Sequence, residues 1–326
     1  MVSDPMQPDL PRILVTGASG FVGAALVLEL ARRDRYILRG TYQRPEKFAA
    51  CRDLEPFCGV LAPETDWTQA LQDVDTVIHT AAKVHDMARP TLASQSDYQR
   101  INVEGTVRLA RQAAQLGVRR FIFVSSIKVN GEKTPKERGF TVTDAAAPTD
   151  DYGRSKLDCE RALLEISNTH SMEIVVVRPP LLYGPGVRGN FQSLLKLVAS
   201  GVPLPLKSID NRRSFMAIDN LVDLLITCIN HPHAANRVFL VSDGQDLSTP
   251  DLVLRIGVAM GLSVKIFSVP PWMLSICSVA LGKPGVAQRM CESLQVDMTT
   301  TQQVLGWNPP INLEEGLRRA VDAFRP

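Results

Sequence analysis

Tyr152 and Lys156 stand four residues apart in Asp151-Tyr152-Gly153-Arg154-Ser155-Lys156, a spacing that puts both side chains on one face of a helix. A free phenol has a pKa near ~10, too high for a base at neutral pH, and a nearby ammonium stabilises the phenolate. A tyrosine tuned in this way moves a proton to or from an alcohol or carbonyl oxygen. Y-x-x-x-K also arises by chance on helix surfaces, so the pair gains meaning from its surroundings. Upstream, Arg120-Phe121-Ile122-Phe123-Val124 is a strand-like run that ends in Ser125-Ser126, at the C-terminal edge of a sheet, where α/β folds bind ligands. A serine there can hold a substrate oxygen toward Tyr152.

A second constellation lies near the N-terminus. Thr16-Gly17-Ala18-Ser19-Gly20-Phe21-Val22-Gly23 follows the β-type run Arg12-Ile13-Leu14-Val15-Thr16 and opens a helical stretch with Val22, Leu26 and Leu30 in register. One glycine lets the chain reverse, a second lets the backbone approach a pyrophosphate, and a third lets helix and strand pack closely, with the helix N-terminus stabilising the anion. The spacing is G-x-x-G-x-x-G, and its place between strand and helix predicts a dinucleotide site. An acid after the second strand would bond the ribose 2′-hydroxyl of NAD, and an arginine would suit the 2′-phosphate of NADP. No acid occurs between Asp34 and Glu46, whereas Arg39 and Arg44 do. The cofactor is therefore NADP or NAD, with a lean toward NADPH.

The elements that must position these groups alternate. Strand-like runs at 12–16, 36–42, 76–79, 120–125 and 173–178 are separated by helical stretches, among them 102–116 and 152–167, which predicts parallel βαβ units. The expected fold class is α/β, a doubly wound parallel sheet (Rossmann) with a smaller, interleaved C-terminal substrate domain. Residues 11–180 form the dinucleotide-binding domain, with 216–245 returning to it. Residues 181–215 and 246–326 form the substrate domain, with a helix over 191–200 and an amphipathic one from Leu313.

Composition narrows the function classes. The chain has 326 residues, 45% hydrophobic and 21% charged, with a net charge of +2. So small a positive excess argues against a nucleic-acid partner, which needs clustered basic charge. The opening MVSDPMQPDLPR carries two acids and three prolines, unlike a signal peptide. Six scattered cysteines without a C-x-x-C pair read as reduced thiols of a cytoplasmic protein, with no metal site. From Ile266 to Gly282 no residue is charged. That stretch is short for a membrane span and is broken by Pro270-Pro271, so no transmembrane segment is expected and a membrane-surface contact stays open.

Taken together, TGASGFVG, VIHTAA, NVEGTVRLA, FVSSIKVNG, YGRSK, VVVRPPLLYGPG, RRSFMAIDNL and LGWNPPINLEEGL resemble the extended short-chain dehydrogenase/reductase family, and within it the nucleotide-sugar epimerases and reductases. The resemblance spans nearly the whole chain. It implies that Tyr152 donates or accepts the proton, that Lys156 tunes it and binds the nicotinamide ribose, and that Ser126 is the third catalytic residue, with Ser125 beside it at the substrate. Asn102 resembles a helix asparagine that supports the site. Gly17, Ser19, Gly20, Phe21, Val22 and Gly23 would surround the pyrophosphate, with Ala81, Pro179 and Arg44 also at the cofactor. The family often has an acid after the third strand, contacting adenine, where this chain offers Val60.

The resemblance also implies a UDP-sugar substrate, with Arg213 on the diphosphate and Asn190 along the nucleotide. SSIKVNGE, RPPLLYGPGVRGNF and PLPLKSIDNRRS look closest to reductases of the 4-keto group of UDP-2-acetamido-2,6-dideoxyhexos-4-ulose. These make UDP-N-acetylquinovosamine or UDP-N-acetylfucosamine for O-antigen polysaccharide. A UDP-hexose 4-epimerase with retained NAD uses the same three residues and is the alternative. A non-catalytic dinucleotide sensor is a third reading, disfavoured by the intact Tyr/Lys pair. Family members often form a homodimer.

Overall fold

The computed structural model describes residues 10–43, 54–84, 95–270, 272–273 and 290–324. Arg44 and the rest of the uncharged stretch after Met273 lie outside the described residues. In chain order the strands are β1 (Arg12–Thr16), β2 (Ile37–Tyr42), β3 (Leu54–Cys58), β4 (Val74–His79), β5 (Arg120–Val124), β6 (Glu173–Arg178), β7 (Leu181–Tyr183), β8 (Phe215–Ala217) and β9 (Arg237–Leu240). The helices are α1 (Phe21–Arg33), α2 (Thr68–Leu71), α3 (Gln95–Asp97), α4 (Gly105–Gln115), α5 (Asp151–Thr169), α6 (Gly189–Ala199), α7 (Ile218–Asn230), α8 (Thr249–Met260), α9 (Thr299–Leu305) and α10 (Leu313–Asp322). A π-helix covers Tyr98–Glu104, and a 3₁₀ turn covers Ile127–Val129. No described helix is long and apolar enough to cross a membrane.

Central parallel strands are covered on both faces and so need unbroken apolar runs. Ile13-Leu14-Val15, Phe121-Ile122-Phe123 and Ile174-Val175-Val176-Val177 meet that need, every one of them fully buried. The sheet order is β3-β2-β1-β4-β5-β6-β9, with every neighbouring pair parallel. Strand order reverses between β1 and β4, and ligands of such sheets bind at the carboxyl ends beside that reversal. Pro56 sits in β3, the edge strand, where the lost N–H costs a ladder bond on one side only. That proline hides β3 from a propensity reading. The helix expected over 102–116 is shorter, because its first residues belong to the π-helix.

The second lobe is built on a two-stranded parallel sheet, β7 with β8. Phe191, Leu195, Phe215, Leu252, Ile256, Leu313 and Leu317 are buried together there. The chain crosses between lobes repeatedly. After β8, α7 packs with α1 in the sheet's own core, and β9 extends the sheet beside β6. Residues 298–307 also return: Met298, Leu305 and Trp307 join the core under α7, and Trp307 Nε1 donates to Asp223 at 2.9 Å.

Candidate active site

At the end of β1 the backbone turns through Gly17 at φ 70°, a left-handed conformation that glycine adopts without strain. The Gly20 N–H donates to the Gly17 carbonyl at 2.8 Å, and the Gly17 N–H donates to Thr41 Oγ1 at 3.1 Å. A Cβ on Gly23 would stand 2.2 Å from the Gly17 oxygen, and one on Gly17 would stand 2.9 Å from Ala81 Cα. Turn, helix and the loop after β4 are thus packed at backbone distance. Gly20 begins α1 with no side-chain cap, so the first N–H groups of the helix face outward beside exposed Ser19 and Gly20. Uncapped helix donors, a cradle with no Cβ in it and a positive helix end fit a dinucleotide pyrophosphate.

Behind this turn, His79 is completely buried between two threonines, its ring nitrogens 2.6 Å from Thr16 Oγ1 and 2.9 Å from Thr106 Oγ1. Burial, aided by the Lys156 charge, holds its pKa down at about 3, so the imidazole is neutral. Next in the chain, Thr80 Oγ1 donates to the Thr16 carbonyl at 2.6 Å. Asn102, inside the π-helix, accepts the Lys83 N–H at 2.7 Å and donates to the Lys83 carbonyl and to Ser155 Oγ. Ser155 in turn donates to the Tyr152 carbonyl at 2.8 Å. Asn102 therefore clamps the loop after β4 to the helix that carries Tyr152.

Tyr152 lies in the first turn of α5. Asp150 caps that helix, accepting the Gly153 N–H at 2.7 Å while pairing with Lys128. A Cβ on Gly153 would stand 2.9 Å from the Lys128 carbonyl, so this glycine lets the tyrosine turn approach the Ser126 turn. Ser126 is partly exposed and caps the 3₁₀ turn, accepting the Lys128 N–H at 3.2 Å. Lys156 is buried, with Nζ 2.9 Å from the Val124 carbonyl and 4.5 Å from the Phe123 ring centroid. The structure thus places Ser126 just after β5, and Tyr152 and Lys156 in the first turns of α5, with Lys156 bonded back to the end of β5.

Three expectations change. Burial, reinforced by the negative charge of Asp150, pushes the Tyr152 pKa above its ordinary value. Lys156 does not reverse this, because its Nζ is 5.8 Å from the tyrosine ring centroid and is bonded to a carbonyl instead. Ser125 does not face substrate: it is buried and its hydroxyl donates to Glu160. Ser126, next in the chain, is partly exposed instead. Arg39 is no 2′-phosphate ligand, since it is bonded to Glu55 at 2.7 and 2.9 Å and to carbonyls of 69, 70 and 72.

Phe21 and Val22 are half-buried in the first turn of α1, and Pro179 is buried at the end of β6, where its carbonyl accepts the Ile127 N–H. In the second lobe, Asn190 is exposed in the first turn of α6. Arg213 is half-buried, with Nη1 donating to the Glu292 carbonyl at 2.9 Å. Val60, which stands where the resemblance expects an adenine contact, is 52% exposed.

The profile of the NAD dependent epimerase/dehydratase family matches residues 13–242. The chain belongs to that family. Among the relatives of this epimerase/dehydratase is a Vibrio cholerae protein named UDP-glucose 4-epimerase, 43% identical over 96% of this chain and 95% of that one. An Escherichia coli O157:H7 protein named N-acetyl-α-D-glucosaminyl-diphospho-ditrans,octacis-undecaprenol 4-epimerase is 28% identical over 95% and 94%. The solved structure of MoeE5 in complex with UDP-glucuronic acid and NAD superposes with a TM-score of 0.76 at 26% identity, covering 96% and 98%. Glu160 and Asp150 lie outside the quoted motifs, and His79 and Arg178 lie inside them without a role being assigned; the glycine after Tyr152 is the local signal that could have found the contact with Lys128.

Proposed function

We propose that this epimerase/dehydratase catalyses reversible hydride transfer at C4 of a UDP-linked hexose, with 4-epimerisation as the net reaction. The 43% identity to Vibrio cholerae UDP-glucose 4-epimerase along nearly the whole of both chains carries this reading. It supports the epimerase over the reductase that motif resemblance ranked first. Bound NAD would supply the hydride acceptor and donor. Tyr152 accepts the O4 proton as the alcohol becomes a carbonyl and returns it on reduction. Ser126 donates a hydrogen bond to that oxygen, and Lys156 contributes positive charge beneath the tyrosine. Gly17, Gly20 and Gly23 would hold the pyrophosphate of the cofactor against α1, and Arg213 that of the sugar nucleotide.

The 4-keto reductase keeps one specific support. Thr41-Tyr42-Gln43 closes β2 without a carboxylate for the ribose of NAD, and Arg44 follows in sequence, which suits an exchanging NADPH. A single preparation separates the readings. Purified protein is denatured, the released nucleotide is identified by chromatography, and native protein is incubated with UDP-glucose or UDP-N-acetylglucosamine without added cofactor. Retained NAD⁺ together with the appearance of the galacto epimer is the expected result. An empty protein that binds NADPH more tightly than NADH and leaves both sugars unchanged would overturn it in favour of the reductase.

A further inference from the structure

Glu160 stands one helical turn beyond Lys156 and two beyond Tyr152, so one face of α5 carries tyrosine, lysine and carboxylate in series. The Glu160 side chain is 3% exposed, and both of its oxygens are engaged. Oε1 accepts from the Ser125 hydroxyl and from Arg178 Nε at 3.0 Å, and Oε2 accepts from Arg178 Nη2 at 2.5 Å. The same guanidinium donates through Nη1 to Asn130 Oδ1 at 2.9 Å. These contacts bracket Ser126. Ser125 precedes it, and Asn130 closes the turn that follows. The Ser125 and Ile127 N–H groups donate to the Val177 and Pro179 carbonyls, on either side of Arg178. A buried ion pair is a poor source of net stability compared with an apolar filling, whereas a fully satisfied polar network rigidifies what it touches.

Resting on the reading of Ser126, Tyr152 and Lys156 as the reacting groups, we propose that Glu160, held by Arg178, is a positioning residue that fixes the Ser126 turn against α5 and keeps a negative charge beside Lys156. The surroundings of Lys156 make that charge matter. Tyr152, Cys159 and Glu160 face it from its own helix and His79 from β4, with Arg178 of β6 behind Glu160. Burial draws Lys156 down to about 8, opposed by Cys159 and Glu160. The Cys159 thiol is itself pushed up to about 12 by burial, so it carries no charge at working pH. His79 is neutral. Glu160 therefore supplies the negative charge of this group.

Glu160→Gln keeps the shape and removes the charge. Its kcat should fall about tenfold or more with KM within about threefold, the pattern of a lost transition-state interaction. The alkaline limb of the kcat–pH profile should move to lower pH, because the Arg178 charge then acts on Lys156 unopposed. Glu160→Asp, which keeps the charge but shortens the reach, should lose kcat while retaining the limb, and Ser125→Ala should do the same. A ¹³C NMR titration of Lys156 should report the same downward shift in Glu160→Gln without any substrate, so it still decides the matter if wild-type protein turns over no UDP-sugar. A variant that only melts at lower temperature, with kcat, limb and lysine titration as in wild type, would overturn the proposal. Where Glu160→Gln is insoluble, unchanged kcat in both Ser125→Ala and Arg178→Lys would overturn it equally.

Discussion

Tyr152 is a weaker acid in this protein than in water, because burial and the Asp150 carboxylate both oppose a phenolate. It therefore rests protonated, poised to donate to a carbonyl, and the positive charge needed to run it as a base must come from the assembled site rather than from Lys156 alone. Tyr152→Phe keeps the ring, including its edge contact with Tyr98 at 6.3 Å, and removes the proton. Turnover should drop by about 10²–10⁴ while bound nucleotide measured after denaturation stays at the wild-type level; turnover that survives would remove Tyr152 from the chemistry. Arg213 is proposed for a different step, the binding of the sugar nucleotide's diphosphate. Charge-assisted bonds are worth about 1.5–3 kcal/mol, so Arg213→Ala should weaken UDP binding about tenfold or more in a calorimetric titration. Equal affinity for UDP in variant and wild type would place the diphosphate elsewhere.

Among the elements, β4 ties the end of β1, where the glycine turn begins, to the π-helix side of the sheet through His79. The sign of its pH dependence follows from its depressed pKa. In the unfolded chain the imidazole takes a proton near pH ~6.5, whereas in the folded chain it resists until about 3. Its contribution to stability is thus complete above the unfolded value and is lost as pH falls toward the folded one, at no more than about 1.4 kcal/mol per pH unit. Urea midpoints taken at about pH 7.5 and about pH 5 should fall more in wild type than in His79→Gln. Parallel losses in the two proteins would mean that other groups carry the acid sensitivity. The π-helix is the other element with a specific task, since it directs Asn102 to Lys83 and Ser155 at once. The motif NVEGTVRLA marks a helix there, but an i→i+5 pattern leaves no periodicity to read over so few residues.

At the scale of the whole molecule, the returning helix α7 is tied to the sheet by polar contacts as well as by apolar packing. Arg120, 2% exposed at the start of β5, sends Nη1 to the carbonyls of Cys228, Ile229 and His231 and Nε to Glu173 at 2.7 Å. A cation at the end of α7 meets both the orphan carbonyls and the negative end of the helix. Arg120→Ala strands those acceptors and should cost about 2–4 kcal/mol in denaturant unfolding, with kcat/KM unchanged well below the transition. A matching loss of kcat/KM would mean that α7 reaches the site.

What the sequence by itself determined is what local chemistry can encode. The glycine turn, the Y-x-x-x-K pair, the strands at 12–16, 120–125 and 173–178, and membership of the extended dehydrogenase/reductase group all rest on neighbours within one or two helical turns, where backbone geometry and side-chain spacing are set directly. Tertiary structure decided the rest. Motif resemblance already set Ser126 apart from Ser125, and packing adds that the Ser125 hydroxyl is turned to Glu160, itself held by Arg178. Arg39 and Arg44 are both arginines of the second-strand region on paper, and only packing shows that Arg39 is engaged by Glu55 of β3. The tyrosine's ionisation depends on burial and on Asp150, quantities that exist only once the elements have packed and water has left.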